Sequence, residues 1–171
     1  MKGEERIIDE GFAPILGVNP KVLILGTLPS VKSLEHQQYY GNPQNAFWWS
    51  MSELLSFDLS ISYIERVELV KQNSIAIWDV IERCHRPGSL DSRIDQSTLV
   101  ANDFSSLLSE VSTIKLVAFN GQAASKLFNK YVSVDKWNGE FMTLPSTSPA
   151  NAAMKKQDKL EHWREVLTYL E

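Results

Sequence analysis

Four short apolar runs dominate the hydrophobic pattern of the chain, and each ends abruptly at turn residues. They cover residues 22–27, 75–80, 115–120 and 140–145. Apolar side chains follow one another in these runs instead of alternating with polar ones, which is typical of strands covered on both faces. We therefore expect a central, mostly parallel four-stranded sheet.

Helical patterns lie between and after these runs, at residues 46–56, 64–72, 103–111, 122–131 and 155–170. The last is the clearest, because apolar residues recur there at steps of three and four: Leu160, Trp163, Val166, Leu167 and Leu170. Strands that alternate with helices predict an α/β fold, here a three-layer α/β/α sandwich. With 171 residues, 43% apolar content and no repeat or linker, residues 1–171 are expected to form a single domain.

Composition limits the partners and the compartment. The net charge of -4 and the pI near 5.4 provide no general attraction to nucleic acid, so any DNA contact must come from a local patch. Cys84 is the one cysteine, which excludes an intramolecular disulfide and favours a reducing, cytoplasmic location. The N-terminal segment carries acids where a signal peptide is basic, and no apolar run is long enough to span a membrane.

The segments that follow the strands hold the unusual residues. In open parallel sheets, ligands bind beyond the carboxyl ends of the strands, here at residues 28–45, 81–93, from 121 onward, and 146–151. Gly26 is followed by Thr27 and Leu28, and neither a GxxxxGK[ST] nor a GxGxxG motif occurs. An ordinary nucleotide-binding site is therefore disfavoured.

Aromatic rings and amides are concentrated after the first strand, and five rings lie within eleven residues: Tyr39, Tyr40, Phe47, Trp48 and Trp49. Phe47 and Trp48 are expected in the core, whereas Tyr39 and Tyr40 are better placed to line a pocket, where a ring can stack on a base. Asn45 precedes a predicted helix. It can cap that helix, or its uncharged amide can hold a water or a base edge.

Other polar residues have both a structural and a functional interpretation. The LPSTSPAN loop can contact phosphates through its hydroxyls or can be an ordinary turn, and Arg86 can meet a phosphate. Asp79 is a candidate general base or a scaffold partner. Asp91 could act as a base, but the GSLD pattern favours a helix start with Ser89 as its cap. The histidines His36, His85 and His162 lack metal-ligand spacing, so no metal is expected.

The ordered set GTLPS, YYGNPQNAFW, AIWDVIERCHRPGSLDSRI, VAFNG and LPSTSPAN resembles the uracil-DNA glycosylase superfamily, and is most similar to its hypoxanthine (deoxyinosine) branch. The resemblance implies an enzyme that flips a deaminated base out of DNA and hydrolyses its glycosidic bond, leaving an abasic site. It covers almost the whole chain. It also implies that no cofactor is needed and that double-stranded DNA is bound by a monomer.

Departures from the superfamily pattern bear on the substrate. The resemblance places Leu28 where uracil-directed members carry Asn or Asp, and leucine cannot position a water. Ser146 and Thr147 precede Ser148 where Asn or His is usual. The implied catalytic amide of the hypoxanthine branch is Asn45. Asn42 stands where that branch carries a histidine, which leaves the role of that histidine in doubt.

The resemblance also implies two groups of binding residues. Base-binding residues would be Gly26, Thr27, Leu28, Tyr40, Phe47 and Asn120. DNA-binding residues would be Pro29, Ser30, Lys32, Arg86, Ser146, Thr147, Ser148 and Asn151, with Lys155 and Lys156 adding charge. Two alternatives remain open from the sequence: a glycosylase for uracil or another deaminated base, and a non-catalytic nucleic-acid-binding module on the same fold.

Overall fold

A computed structural model describes residues 7–171; the first six residues, part of the acidic N-terminal segment, lie outside the described residues. Within this range the strands are β1 (Ile8–Glu10), β2 (Val22–Gly26), β3 (Ile75–Asp79), β4 (Ile81–His85), β5 (Asp95–Ala101), β6 (Leu116–Asn120) and β7 (Glu140–Leu144). The α-helices are α1 (Val31–His36), α2 (Phe47–Leu55), α3 (Tyr63–Gln72), α4 (Phe104–Glu110), α5 (Gln122–Tyr131) and α6 (Lys156–Trp163). Short 3-10 helices cover Asp91–Arg93 and Arg164–Tyr169.

The central sheet confirms the four predicted strands, each within one residue of its expected bounds. Its order is β3-β2-β6-β7, and every neighbouring pair is parallel. Because parallel strands end at the same edge, Gly26, Asp79, Asn120 and Leu144 come together there. This edge positions the site described below.

Strand β2 shows why its apolar run does not alternate. Val22 and Ile24 pack in a buried cluster with residues of α2, α3 and α6, whereas Leu23 and Leu25 pack in a second cluster with α4 and α5. Successive side chains of a strand point to opposite faces, so both faces of this strand are covered by helices. The predicted three-layer α/β/α sandwich is confirmed.

A second sheet was not predicted. Strands β1, β4 and β5 form an antiparallel sheet in the order β1-β4-β5, so the expectation that the chain leaves the central sheet as a loop at residue 81 is wrong. Strand β4 begins after a single residue, Val80, and its Glu82 and Arg83 are exposed between buried Ile81 and Cys84. A five-residue strand with two adjacent charged residues shows no clear alternation of apolar and polar positions. Its formation depends on pairing with β1 and β5, which are distant in the sequence.

The helices follow the predictions more closely than the loops do. Helices α2 to α5 match their predicted segments within one residue at each end, whereas the short helix α1 was not predicted. The final segment is an α-helix over Lys156–Trp163 that tightens into a 3-10 helix over Arg164–Tyr169, so the single helix expected to residue 170 is wrong in its second half. Tightening of the last turns is common at helix ends. In the described part of the chain, every helix is too short or too polar to cross a bilayer.

Candidate active site

A cavity of about 440 Å³ opens at the carboxyl edge of the central sheet. Its walls come from the segments that follow β2, β3, β6 and β7, as expected for an open parallel sheet. The lining residues are Gly26, Thr27, Leu28, Pro29, Ser30, Ser33, Tyr39, Tyr40, Asn42, Asn45, Asp79, Ser89, Leu90, Asp91, Asn120, Ser146, Thr147, Ser148, Pro149 and Ala150. The structure therefore brings most of the predicted site residues together.

Asn45 faces this cavity and also contacts the start of helix α2. Its Oδ1 accepts a hydrogen bond from the backbone N–H of Phe47 at 2.9 Å, so the oxygen of the amide must point toward the helix. Among the described residues, Asn45 Nδ2 makes no hydrogen bond, and the residue lines the cavity. The two interpretations of Asn45 are thus compatible, since one amide atom holds the helix start and the other is free to donate.

Tyr40 forms an aromatic wall, supported from behind by Phe47. Their ring centroids lie 3.9 Å apart with nearly parallel planes. Phe47 has no exposed surface and does not line the cavity, so its predicted contact with a base does not fit, because the Tyr40 ring stands between. Tyr40 adopts a left-handed backbone conformation at φ 54°, a strained state that proteins keep mainly at functional sites.

Gly26 is required by the close approach of two polar side chains. A Cβ at this position would lie 2.7 Å from Asp79 Oδ1 and 3.1 Å from the Tyr40 hydroxyl. Either distance is shorter than normal contact, so any larger residue would push the carboxyl or the ring aside. Gly26 therefore contributes to the cavity wall by leaving room for the Asp79 carboxyl and the Tyr40 hydroxyl.

Asn120 lines the cavity and also holds the loop after β7. Its Nδ2 donates to Thr147 Oγ1 and its Oδ1 accepts from the Thr147 N–H, both at 2.9 Å. These bonds use one of the two Nδ2 hydrogens, and Asn120 also lowers the pKa of the Tyr40 hydroxyl against the larger, opposing effect of burial. Thr147 is almost fully buried, so its predicted contact with a phosphate does not fit the structure.

The loop after β7 is held by its own polar groups. Ser146 Oγ accepts from Ser148 N–H, Ser148 Oγ accepts from Ala150 N–H, and Asn151 Nδ2 donates to the Ser146 carbonyl. The Ala46 N–H donates to the Thr147 carbonyl at 3.0 Å, which connects this loop to the one that carries the catalytic candidate. Ser146 and Ser148 line the cavity, whereas Asn151 lies outside it.

The loop after β2 begins helix α1 and is also well ordered. Ser30 Oγ caps α1 by accepting from the Ser33 N–H, while Ser89 Oγ accepts from the Val31 N–H. Pro29 and Ser30 line the cavity, and Lys32 is exposed beside it. Ser89 therefore holds this loop and does not cap a helix, because the 3-10 helix that follows has Leu90 at its N-cap.

Arg86 is buried, so its predicted phosphate contact is wrong in this structure. Its side chain has no exposed surface, donates to the Pro29 carbonyl, and pairs with Asp9 at 3.4 Å. In the described part of the chain, exposed cations close in sequence to the cavity-lining segments include Lys32, Arg93, Lys155 and Lys156, the last lying 4.3 Å from the Trp49 ring. Among the described residues, no group of three or more His, Cys, Asp or Glu side chains is arranged to hold a metal ion.

Two carboxyl groups, those of Asp79 and Asp91, belong to the cavity wall. Asp91 accepts a hydrogen bond from Thr27 Oγ1 at 2.6 Å and lines the wall, so the expectation that it only begins a helix is wrong. Asp79 is 4% exposed, and burial raises its pKa to about 7, with Arg86 opposing and Asp91 reinforcing the rise. Its position at the end of β3 marked it as a candidate, but the sequence did not show that it stays unpaired.

Replacing Asp79 with asparagine is expected to stabilise the protein above neutral pH. The folded chain holds the Asp79 proton more tightly than the unfolded chain, so this contribution to stability is complete below about pH 4 and is lost as pH rises through about 7. Taking 3.8 for the unfolded pKa and about 7 for the folded one, the loss is about 4 kcal/mol at most. Asparagine does not titrate, so Asp79→Asn should gain about 1–4 kcal/mol over the wild type at about pH 8.

Urea unfolding at about pH 5 and about pH 8 measures this effect. Asp58→Asn is the matched control, because the Asp58 carboxylate lies exposed in a loop and its pKa is lowered by hydrogen bonds with Ser60. This substitution should therefore not stabilise the protein at the higher pH. Equal pH dependence of the wild type and Asp79→Asn would contradict the expectation.

Comparisons with known proteins give a consistent set of relatives. The model of the Uracil DNA glycosylase superfamily matches residues 14–171. A hypoxanthine DNA glycosylase of Methanosarcina acetivorans is 37% identical over 165 residues, which is 95% of this chain and 100% of the relative. One of Methanosarcina barkeri is 37% identical over 159 residues, 92% of this chain and 96% of the relative. A solution NMR structure from M. acetivorans, provisionally described as a uracil DNA glycosylase, has a TM-score of 0.81, 35% identity, and coverage of 96% of this chain and 99% of its own.

Proposed function

Because this chain belongs to the uracil DNA glycosylase superfamily, we propose that it is a DNA glycosylase that releases hypoxanthine from deoxyinosine in double-stranded DNA. The observation that carries the proposal is the free Nδ2 of Asn45 at the wall of a cavity that Tyr40 lines. The names and the near-complete coverage of the two Methanosarcina relatives support the choice of base.

Base extrusion explains why a cavity of this kind is needed. A glycosylase cannot reach its target bond in a stacked duplex, so the nucleotide must rotate out at a cost of a few kcal/mol. Deoxyinosine opposite thymine is mispaired, which lowers this cost. The extruded base would lie against the Tyr40 ring, where stacking contributes about 1–3 kcal/mol.

The geometry of Asn45 supports one of its two candidate roles. Cleavage of the C1′–N9 bond leaves negative charge on the departing purine, and a fixed donor directed at that charge lowers the barrier. Since Oδ1 already accepts the Phe47 N–H, the free group is a donor. The free Nδ2 can donate to an acceptor atom of the base, whereas activating a water would require Asn45 to accept a hydrogen bond from that water. We therefore propose that Asn45 binds the base.

The two loops beside the cavity would hold the DNA backbone. Pro29, Ser30, Ser146 and Ser148 line the cavity. The serine hydroxyls suit phosphate oxygens, whereas Pro29 has no N–H and can only shape the loop. Lys32 and Lys155 add exposed positive charge nearby, which the chain needs because its net charge is -4. Action as a single-domain monomer in the cytoplasm is proposed with the same function, and gel filtration with and without a DNA duplex tests the monomer.

An oligonucleotide panel tests the proposed function. Duplexes carrying deoxyinosine, deoxyuridine or deoxyxanthosine are incubated with excess protein, and abasic sites are revealed by alkaline cleavage. Rapid cleavage at deoxyinosine is expected. Duplex binding without any cleavage would instead identify a non-catalytic nucleic-acid-binding module.

Uracil release is expected to be at least about tenfold slower than hypoxanthine release. Leu28 is 6% exposed, lines the cavity, and packs in the cluster beneath α4 and α5, so no amide or carboxylate acts from that position. The loss of one hydrogen-bonding group for a substrate commonly costs a factor of ten or more. Single-turnover rates on the deoxyuridine and deoxyinosine duplexes test this expectation. Equal rates on the two duplexes would group the protein with the uracil-directed enzymes.

A further inference from the structure

The Asp79 carboxyl lies at the base of the cavity without the partners that a structural carboxyl normally has. Asp79 Oδ2 and the Tyr40 hydroxyl are both fully enclosed, and neither makes a hydrogen bond within the described part of the chain. Arg86 Nε and Nη1 are also buried without a hydrogen bond, but Arg86 does not line the cavity, whereas Asp79 and Tyr40 do. Buried polar atoms are usually paired, so unpaired atoms on two cavity-lining residues are consistent with a ligand that pairs with them.

The backbone holds this carboxyl in place. Asp79 is the last residue of β3, opposite Gly26 in the parallel pairing, and its carbonyl accepts from Asn102 Nδ2 at 2.8 Å. The absence of a side chain at Gly26 lets Asp79 Oδ1 and the Tyr40 hydroxyl lie side by side against the backbone of β2. The end of β3 therefore fixes the carboxyl, and Asp79 lines the cavity.

We propose, on the basis of the function proposed above, that Asp79 is the general acid of the reaction and donates its proton to N7 of the extruded purine. A 6-oxopurine presents N7 and O6 as adjacent acceptors on one edge, and N7 is the basic ring nitrogen of that edge. Asp79 and Asn45 then act on the same leaving group from different walls of the cavity.

The surroundings keep a proton on Asp79 near neutral pH. The groups that face it are the Arg86 guanidinium, which favours the charged carboxylate, and Asp91, Tyr39 and Tyr40, which bring negative charge or an ionisable hydroxyl. Burial outweighs Arg86 and raises the pKa of Asp79 to about 7. An acid with a pKa near the working pH donates its proton efficiently and is readily reprotonated.

The step balances as a hydrolysis. The C1′–N9 bond breaks with its electron pair going to the purine. The Asp79 proton forms the N7–H bond and neutralises the negative charge that develops there, so the base is released neutral while Asn45 stabilises the charge as it develops. Water forms the new bond to C1′, and the proton that this water loses returns to the Asp79 carboxylate through solvent. The products are the free base and an abasic sugar, with the acid restored.

The experiment uses single-turnover rates on duplexes that carry either deoxyinosine or 7-deaza-2′-deoxyinosine, which lacks N7. For the wild type on deoxyinosine, the rate should be constant below about pH 6 and fall about tenfold for each pH step of one above about pH 7. Asp79→Asn should be about 10²- to 10⁴-fold slower and should lack this fall, while the control Asp58→Asn should match the wild type.

The modified substrate gives a test that needs no variant. The wild type should release 7-deazahypoxanthine at least about 100-fold more slowly than hypoxanthine, and Asp79→Asn should cause no further loss on that duplex. A pH-independent wild-type rate, wild-type activity of Asp79→Asn, or equal rates on the two substrates would overturn the inference. If no variant or pH releases hypoxanthine from deoxyinosine, the proposed function fails and this inference fails with it. If hypoxanthine is released but the rate follows a different pH profile, the general-acid role of Asp79 is overturned while the proposed function stands.

Discussion

Asn45→Ala should slow the release of hypoxanthine by about 10²- to 10³-fold, because it removes a fixed donor directed at the departing base. The fold should persist, since α2, whose first N–H donates to Asn45 Oδ1, is anchored by buried residues, including Phe47, Trp48 and Met51. Loss of this hydrogen bond alone costs about 1 kcal/mol. Single-turnover rates on a deoxyinosine duplex, together with a thermal melt, measure the two effects separately.

Asn45→Asp separates the role of the Nδ2 donor from that of the Oδ1 acceptor. Aspartate keeps an oxygen that can accept the Phe47 N–H, so stability should be kept. It has no donor in its ionised form and adds negative charge next to the departing purine, so activity should be lost at least as severely as in Asn45→Ala. Asn73→Ala is the control, because Asn73 donates to the Leu69 carbonyl at the end of α3 and does not line the cavity. Wild-type rates for Asn45→Asp would show that the amide does not donate to the base.

Phe47→Ala should lower the free energy of unfolding by about 3–5 kcal/mol. Phe47 has no exposed surface and meets Tyr40, Trp48 and Trp163 at ring distances of 3.9, 5.0 and 6.2 Å. Alanine would leave a void at the centre of this ring cluster and remove the support of the Tyr40 wall. Chemical denaturation measures the loss.

Phe141→Ala is the matched control for this substitution. Phe141 also touches three aromatic rings, those of Phe119, Phe128 and Trp137, but is 49% exposed, so truncation leaves no closed void. A loss of less than about 2 kcal/mol is expected for Phe141→Ala. If both substitutions cost the same, burial of Phe47 is not the source of its contribution.

Local sequence signals were sufficient for the central sheet and for most helices, and they placed Asn45 in the cavity wall, while its catalytic role stays a prediction. The apolar runs are strong because both sheet faces are covered, and Asn45 lies two residues before the aromatic start of α2. The antiparallel sheet escaped prediction because β4 is short and charged and depends on partners that pair with it from β1 and β5. Its stability is a tertiary effect that no local pattern contains.

The fate of individual polar side chains was the least predictable feature. Arg86 reads as a loop cation, yet it is enclosed by contacts with Pro29 and Asp9, residues distant in the chain. The sequence alone fits a paired or an unpaired Asp79 carboxyl equally well. Its raised pKa results mainly from burial by several elements that come together only in the folded chain. Burial of this kind depends on the whole fold and therefore cannot be derived from spacing.

The hydrogen bond from Ala46 to the Thr147 carbonyl has a consequence for how this enzyme can be re-engineered. This bond connects the segment before α2 to Thr147, and the two bonds from Asn120 fix Thr147 to the end of β6. The position of the segment before α2 therefore depends on the segment after β7. A loop transplanted from a relative with another base preference would carry its own spacing and would displace Asn45 unless its counterpart came with it. Changes of specificity in this scaffold should therefore require both segments to be exchanged together.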